Sequence, residues 1–453
     1  MSARLTPPAT SSSIDALLPD APYRSSLSPE AEFVLLGART VLTGARAQRF
    51  DELLERGQPF PGGERRSSPA CDTTPLRWEL VLFLCAVHRV TGLVGRQLSA
   101  RSWKNVPPDV VAAVSYYFGA MALHSKALSG ELARVTSHLE AAGVPVVSFK
   151  GPTLALALYG NGVVRPSSDI DLLVPREEIR RAHELLRGLG YAHEVQLSPS
   201  QEREHLRRDS VFNLLRPAPE EISALFPQGF AVELHWAITS PCLPFGFSFG
   251  SVRDGLRPLG GRGELAAGSS LAPADLLLIL AVHGAKHLWD RLLWLCDVAQ
   301  LLERHPDLDW EALLAAARSR EIERMMALCL ALTRDVMGTV LPEAVESWLS
   351  TQPHALRLAS RLRASILWHD PEDAGWSRAL ESLDAEEAPP LWGANQLLSQ
   401  AIDRPWKRVG FFWHLATTPT AKERAGVALP SHWQALWWVL QPANALRRRW
   451  ERR

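Results

Sequence analysis

The sequence predicts an α+β protein, in which a mixed α/β unit over residues 144–240 stands between two helical regions. Two observations carry this expectation. On either side of the unit, apolar residues recur at three- and four-residue spacing over stretches too long for strands. Within it, short β-branched runs bounded by Gly and Pro alternate with brief helical patterns. With 453 residues, 46% hydrophobic and 22% charged, the chain is long enough for more than one hydrophobic core and has an ordinary globular composition.

Taken in order, residues 1–30 are rich in Ser, Pro and Ala and predict a mobile tail. Residues 31–143 read as an N-terminal helical region, with "ELVLFLCAVHRVTGLVGRQL" and "VVAAVSYYFGAMALHSKALSGELARVTSHLEAAG" as its strongest segments and Gly143 as a helix stop. The loop "RGQPFPGGERRSSPACDTTP" interrupts it. In the central unit "VPVVSF", "DIDLLVP", "YAHEVQL", "SVFNLLR" and "FAVELHWAI" read as strands, and "GPTLALALYG" and "REEIRRAHELLRGLG" as helices. Residues 241–453 form a C-terminal helical region, led by the continuous helical pattern "PADLLLILAVHGAKHLWDRLLWLCDVAQLLERH".

Charge and cysteine usage exclude several classes. The 49 basic and 49 acidic residues cancel, so no global field draws the chain to a polyanion. Cys71, Cys85, Cys242, Cys296 and Cys329 are scattered and odd in number, which argues against a disulfide framework or a zinc ribbon and for a reducing, cytoplasmic setting. The N-terminus lacks the basic-then-apolar pattern of a secretory signal, and no apolar run is long enough for a transmembrane segment.

The chemistry concentrates between residues 148 and 175. Successive side chains of a strand alternate in direction, so Asp169 and Asp171 share one face while Ile170 and Leu172 turn to the core. Two carboxylates held side by side call for a cation, and Mg2+ takes one or two carboxylates together with substrate phosphates. Upstream, Gly151 permits a sharp turn, Pro152 suits a first helical position, and the free N–H groups of that helix start form an anion site beside Lys150. A third acid comes from "FAVELHWAI", where Glu233 and His235 share a face inside an apolar strand. Glu194 is a weaker alternative. His235 reads as a hydrogen-bonded core histidine. Arg165 can pair with Asp169 or hold a phosphate, and both readings stay open.

His283 and His287 have the four-residue spacing of zinc ligands, but Gly284 stands where a metalloprotease carries its glutamate, so that reading fails. Lys286, Asp290 and Asp297 extend a polar stripe along the same helical pattern. It can face a nucleotide or form a salt-bridge network. The C-terminus pairs "HWQALWW" with five arginines in the last seven residues, a pattern for weak contact with an anionic surface or for ordinary packing.

As a set, these residues resemble the nucleotidyltransferases of the DNA polymerase beta superfamily, which carry a glycine turn, a helix, an Asp-apolar-Asp strand and a third carboxylate on a neighbouring strand. They are more closely similar to a bacterial branch of uncharacterised nucleotidyltransferase-like proteins. The pieces are Lys150-Gly151 after "AGVP", the run from Tyr159 through Arg165 to Asp169-Ile170-Asp171, Glu233-Leu234-His235-Trp236, and His283-Gly284 to His287. They span roughly residues 75–305.

The resemblance implies a mixed-sheet nucleotidyltransferase core and Mg2+-dependent transfer of a nucleotidyl group from an NTP. Asp169, Asp171 and Glu233 would be catalytic and metal-binding. Lys150, Gly151, Arg165, Ser168, His283, Lys286 and His287 would bind the nucleotide. The acceptor, a hydroxyl or amine on a small molecule, a protein or an RNA, is not named by the sequence. Pro152 stands where the superfamily usually has Gly or Ser, and Glu233 where it more often has Asp. Two alternatives follow: a degenerate nucleotide-binding protein, and a toxin-type enzyme that modifies RNA or protein.

Overall fold

The computed structural model describes residues 27–56, 74–194, 198–239, 243, 245–258, 269–366 and 391–417. Most of the expected N-terminal tail, Cys71, Cys242 and the C-terminal Trp/Arg stretch lie outside the described residues. The α+β class holds: a small mixed sheet is flanked by many helices.

Four helices come first, α1 (Pro29–Gly37), α2 (Gly44–Leu54), α3 (Trp78–Val87) and α4 (Thr91–Ala100). The long α5 (Pro108–Ala141) starts on a proline with Asp109 in its first turn, both suited to a helix N-terminus. Its buried Leu128, Leu132, Val135 and Leu139 recur at three- and four-residue spacing and pack on the sheet. Glu131, on the same buried face, receives Arg134, Arg216 and the Tyr191 hydroxyl, tying α5 to the sheet.

The sheet comprises β1 (Val147–Ser148), β2 (Asp169–Leu173), β3 (Ala192–His193), β4 (Val211–Arg216) and β5 (Phe230–His235), in the order β1-β2-β5-β4-β3. β2 and β5 run parallel and the other neighbours antiparallel. Between β1 and β2 lies α6 (Gly151–Tyr159), and between β2 and β3 lies α7 (Ile179–Gly188). Ile170, Leu172, Val232 and Leu234 bury one face of the central strands in a core shared with α5 and α7.

Two elements differ from the expectation. Among its described residues "YAHEVQL" supplies the two-residue β3, and "PSQEREHLRR" forms an unexpected helix, α8 (Pro199–Arg208). It carries no broad apolar stripe. It is started by a capping box, in which Ser198 accepts from the backbone N–H of Gln201 and the Gln201 side chain accepts from that of Ser198.

After α9 (Phe249–Val252), helices return as α10 (Pro273–Lys286), α11 (Leu292–Arg304), α12 (Trp310–Ser319), α13 (Glu323–Met337), α14 (Glu343–Ser350), α15 (Pro353–Ile366), α16 (Leu391–Gln400) and α17 (Pro405–Thr417). Their buried faces join those of α1 to α4 in a second core. The continuous helix expected through residues 283–297 is broken. Leu288 and Trp289 take left-handed backbone angles, φ 55° and 56°, and the fully buried Trp289 ring folds back onto Gly284. A Cβ on Gly284 would lie 2.4 Å from that ring, so the glycine makes the reversal possible. No helix among the described residues is long and apolar enough to cross a membrane. Cys85, Cys296 and Cys329 are buried and free.

Candidate active site

The turn from β1 into α6 is built around Gly151. Its φ is +57°, and a Cβ there would lie 2.5 Å from the carbonyl oxygen of Asp169, so the turn can approach β2 this closely only with glycine. Pro152 occupies the first turn of α6, where its missing N–H leaves no helical bond unmade. The Thr153 hydroxyl donates to Ser148 at 2.7 Å and is buried.

The parallel register of β2 and β5 sets Asp169 opposite Ala231 and Asp171 opposite Glu233. The alternation that buries Ile170 and Val232 therefore puts Asp169, Asp171, Glu233 and His235 on the other face. Asp171 and His235 are buried, whereas the Glu233 side chain is 31% exposed, more open than its apolar strand suggested. His235 Nε2 lies 3.0 Å from Glu233 Oε2 and 3.6 Å from Asp171 Oδ1. One donor atom each from Asp171, Glu233 and His235 falls within 4.8 Å of the other two. Asp169 lies outside that trio.

Lys150, at the start of the turn, points into the acids: its Nζ is 2.6 Å from Asp171 Oδ1. That oxygen has no aligned hydrogen-bond partner among the described residues, so its charge is balanced by proximity alone. Burial opposes the lysine charge, but Asp171, then Glu233 and Asp169, outweigh it and hold the Lys150 pKa above the ordinary value. Asp169 is pushed up to about 7, by burial first and then by the charge of Asp171. Burial also works against ionised Glu233, yet its bond to His235 and the nearby Lys150 keep its pKa below the usual range. His235 is shifted up, because Asp171 and Glu233 overcome its burial.

Arg165 does not pair with Asp169 through a hydrogen bond. Its fork engages the buried Asp297, Nε to Oδ1 at 3.0 Å and Nη2 to Oδ2 at 2.9 Å, and the Tyr159 hydroxyl donates to the same Oδ1 at 3.0 Å. These bonds pin the loop between α6 and β2 to α11. Ser168, at the end of that loop, is exposed.

The polar stripe is divided by the break after α10: Asp290 and Asp297 do not continue the helix of His283. Instead, His283, His287 and Trp294 cluster with ring centroids 4.8–5.2 Å apart, and the Arg291 guanidinium stands 5.6 Å from Trp294. Lys286 and His287 are exposed. Burial and then the charge of Lys150 press the His283 pKa down, and the charge of Lys286 acts on Glu233. The end of α10 thus lies within electrostatic reach of the acids. Glu194 sits at the end of β3, two strands away from β5.

Sequence reasoning did not place Trp294 and Arg291 beside the two histidines, because the break that unites them carries no glycine or proline at its turning residues. His235, read as a hydrogen-bonded core histidine, is buried and bonded to Glu233, on the strand face that also carries that acid.

Two carboxylates facing each other across parallel strands, one with an oxygen lacking an aligned donor, form a donor set suited to a divalent cation. Lys150 supplies a fixed positive charge at the same oxygen. No curated protein and no solved structure matches the chain. The model of a family described as "Uncharacterised nucleotidyltransferase" matches residues 74–338, more than half of the sequence and all of the elements that build this site. The chain belongs to that family, and nucleotidyl transfer with a nucleotide substrate is the general chemistry the family carries.

Proposed function

We propose that the chain transfers a nucleotidyl group from an NTP to a hydroxyl or amine acceptor, with Mg2+ as cofactor. The observation that carries this reading is the register that sets Asp171 beside Glu233 with Asp169 on the same face. In the proposed reaction the acceptor atom attacks the α-phosphorus, the bond to the bridging oxygen breaks, and pyrophosphate leaves. Asp169, Asp171 and Glu233 would hold the metal, which when bound supplies charge stabilisation to the reacting phosphate. Glu233 would complete the acceptor-side metal or take the acceptor proton at its carboxylate, and in either role His235 would hold that carboxylate in place through Nε2.

Gly151 and the first N–H groups of α6 would meet the phosphates, with Lys150 adding charge. Arg165, fixed by Asp297, would position the loop that carries Ser168. His283, Lys286 and His287 would complete the nucleotide contacts from the end of α10.

The contact of Lys150 with Asp171 favours a second reading, a protein that binds a nucleotide without transferring it, in which the ammonium supplies the charge a metal would otherwise bring. Incubation of the protein with each labelled NTP and cell extract, with and without Mg2+, separates the two. Transfer predicts label on a discrete acceptor only when Mg2+ is present. Nucleotide binding with no labelled species would establish the second reading.

A further inference from the structure

Helices α13, α15, α16 and α17 frame a cavity of about 180 Å³ whose wall carries Arg324, Arg357, Arg361, Arg408, His354 and Gln400. That is many times the roughly 10–15 Å³ of such space one water needs. Three of the four arginines lie beyond the residues matched by the family, so the family does not account for the cavity.

Among the described residues, none of these four arginines forms an ion pair with a carboxylate, although their neighbours do. Arg334 pairs with Asp335 and Glu346, Arg363 with Asp335, and Arg404 with Glu321. Three of the cavity arginines bond to neutral groups instead. Arg408 Nε and Nη2 donate to the Ile402 carbonyl at 3.1 and 3.0 Å, Arg324 Nη1 donates to that of Gln400 at 3.4 Å, and Arg357 Nη2 meets His354 Nδ1 at 2.8 Å. Such bonds fix these three guanidinium groups without neutralising them. Asp403, the acid closest in sequence to Gln400, commits its two oxygens to the backbone N–H groups of Glu323 and Arg324, each at 2.9 Å.

Arg357 and Arg361 stand four residues apart on the exposed side of α15, a spacing at which like charges repel. Convergence of four guanidinium groups, none ion-paired to a carboxylate among the described residues, on one cavity is stabilised by an anion, and the guanidinium fork matches phosphate in particular. We propose that this cavity is an anion site for a phosphate or diphosphate group, free or carried by a nucleotide, and separate from the carboxylate cluster.

The test uses the full chain with Lys150→Ala and Asp171→Asn in EDTA, which removes both the ammonium and a metal ligand of the other site, and titrates inorganic phosphate, pyrophosphate and ADP in a calorimeter. Saturable binding is expected, weakening as salt rises. Arg357→Gln with Arg361→Gln should lower the affinity at least about tenfold, the scale of one lost charge-assisted hydrogen bond. Tighter binding of ADP than of pyrophosphate identifies a nucleotide-borne group, and the reverse order a free anion. Both altered arginines are exposed, so the fold should survive; Arg357→Gln alone, with the ligand-induced rise in Tm as readout, serves if the double variant unfolds. Absence of binding by all three probes at millimolar concentration, or equal affinity in the arginine variants, overturns the proposal.

Discussion

Lys150 Nζ sits 2.6 Å from Asp171 Oδ1, and the two side chains are 17% and 1% exposed. A carboxylate this deeply buried depends on its partner. Lys150→Ala in metal-free buffer should lower the unfolding free energy by about 3 kcal/mol, the cost of leaving a buried charge unpaired. Urea melts should show that Mg2+ restores more stability to this variant than it adds to the wild type, since ion and ammonium compete for one oxygen. Calorimetry should show a larger loss of affinity for ATP than for adenosine. Equal losses would remove Lys150 from the phosphates.

Asp169 and Asp171 share a strand face, and burial, then the repulsion between them, raises the cost of ionising Asp169. Asp169→Asn should therefore melt at or above the wild-type temperature without metal, while label transfer falls about a hundredfold or more, as expected when charge stabilisation at the reacting group is lost. A folded variant that transfers at the wild-type rate would refute the metal-site assignment.

Glu233 accepts from, or shares a proton with, His235 at 3.0 Å. Glu233→Gln should abolish transfer and leave NTP binding largely intact, and Mg2+ with a non-hydrolysable NTP should raise the wild-type Tm more than that of the variant. Should the variant instead be destabilised yet competent at lower temperature, Glu233 is only the partner of His235.

Asp297 lies at the centre of a buried set with Arg165 and Tyr159. Asp297→Asn should cost about 3 kcal/mol in chemical denaturation, because it leaves the Arg165 charge buried without its counter-ion. A shift within the error of the measurement would show that the loop before β2 is held by other contacts.

His183 is buried against His193 and Phe212, and its pKa is lowered to about 4, by burial first and then by His193. Arg187 adds to the effect, and Glu202 lies 3.9 Å from its Nδ1. The unfolded chain accepts a proton here below its ordinary pKa of 6.5, whereas the folded protein resists until about 4. Stability should thus fall as pH drops from 6.5 to 4. A scan of Tm against pH should give a shallower slope for His183→Gln over that window.

The sequence by itself determined the features that depend on neighbours along the chain. Gly151 and Pro152 locate the turn into α6, and the two-residue period of β2 and β5 puts Asp169 with Asp171, and Glu233 with His235, on common faces. The α+β class follows from the same local periodicities. Tertiary structure alone decided what those groups meet. The register that brings Glu233 beside Asp171 is a pairing of strands about sixty residues apart, selected because it buries Val232 and Leu234 together with Ile170 and Leu172. Arg165 finds Asp297 across 132 residues, where a buried guanidinium needs a bidentate acceptor and the nearer Asp169 does not supply it. The reversal at Leu288 and Trp289 is likewise set by the burial of one indole over Gly284, which no local helix signal records. Local backbone geometry acts over a few residues, whereas burial and charge pairing are decided by the whole chain at once.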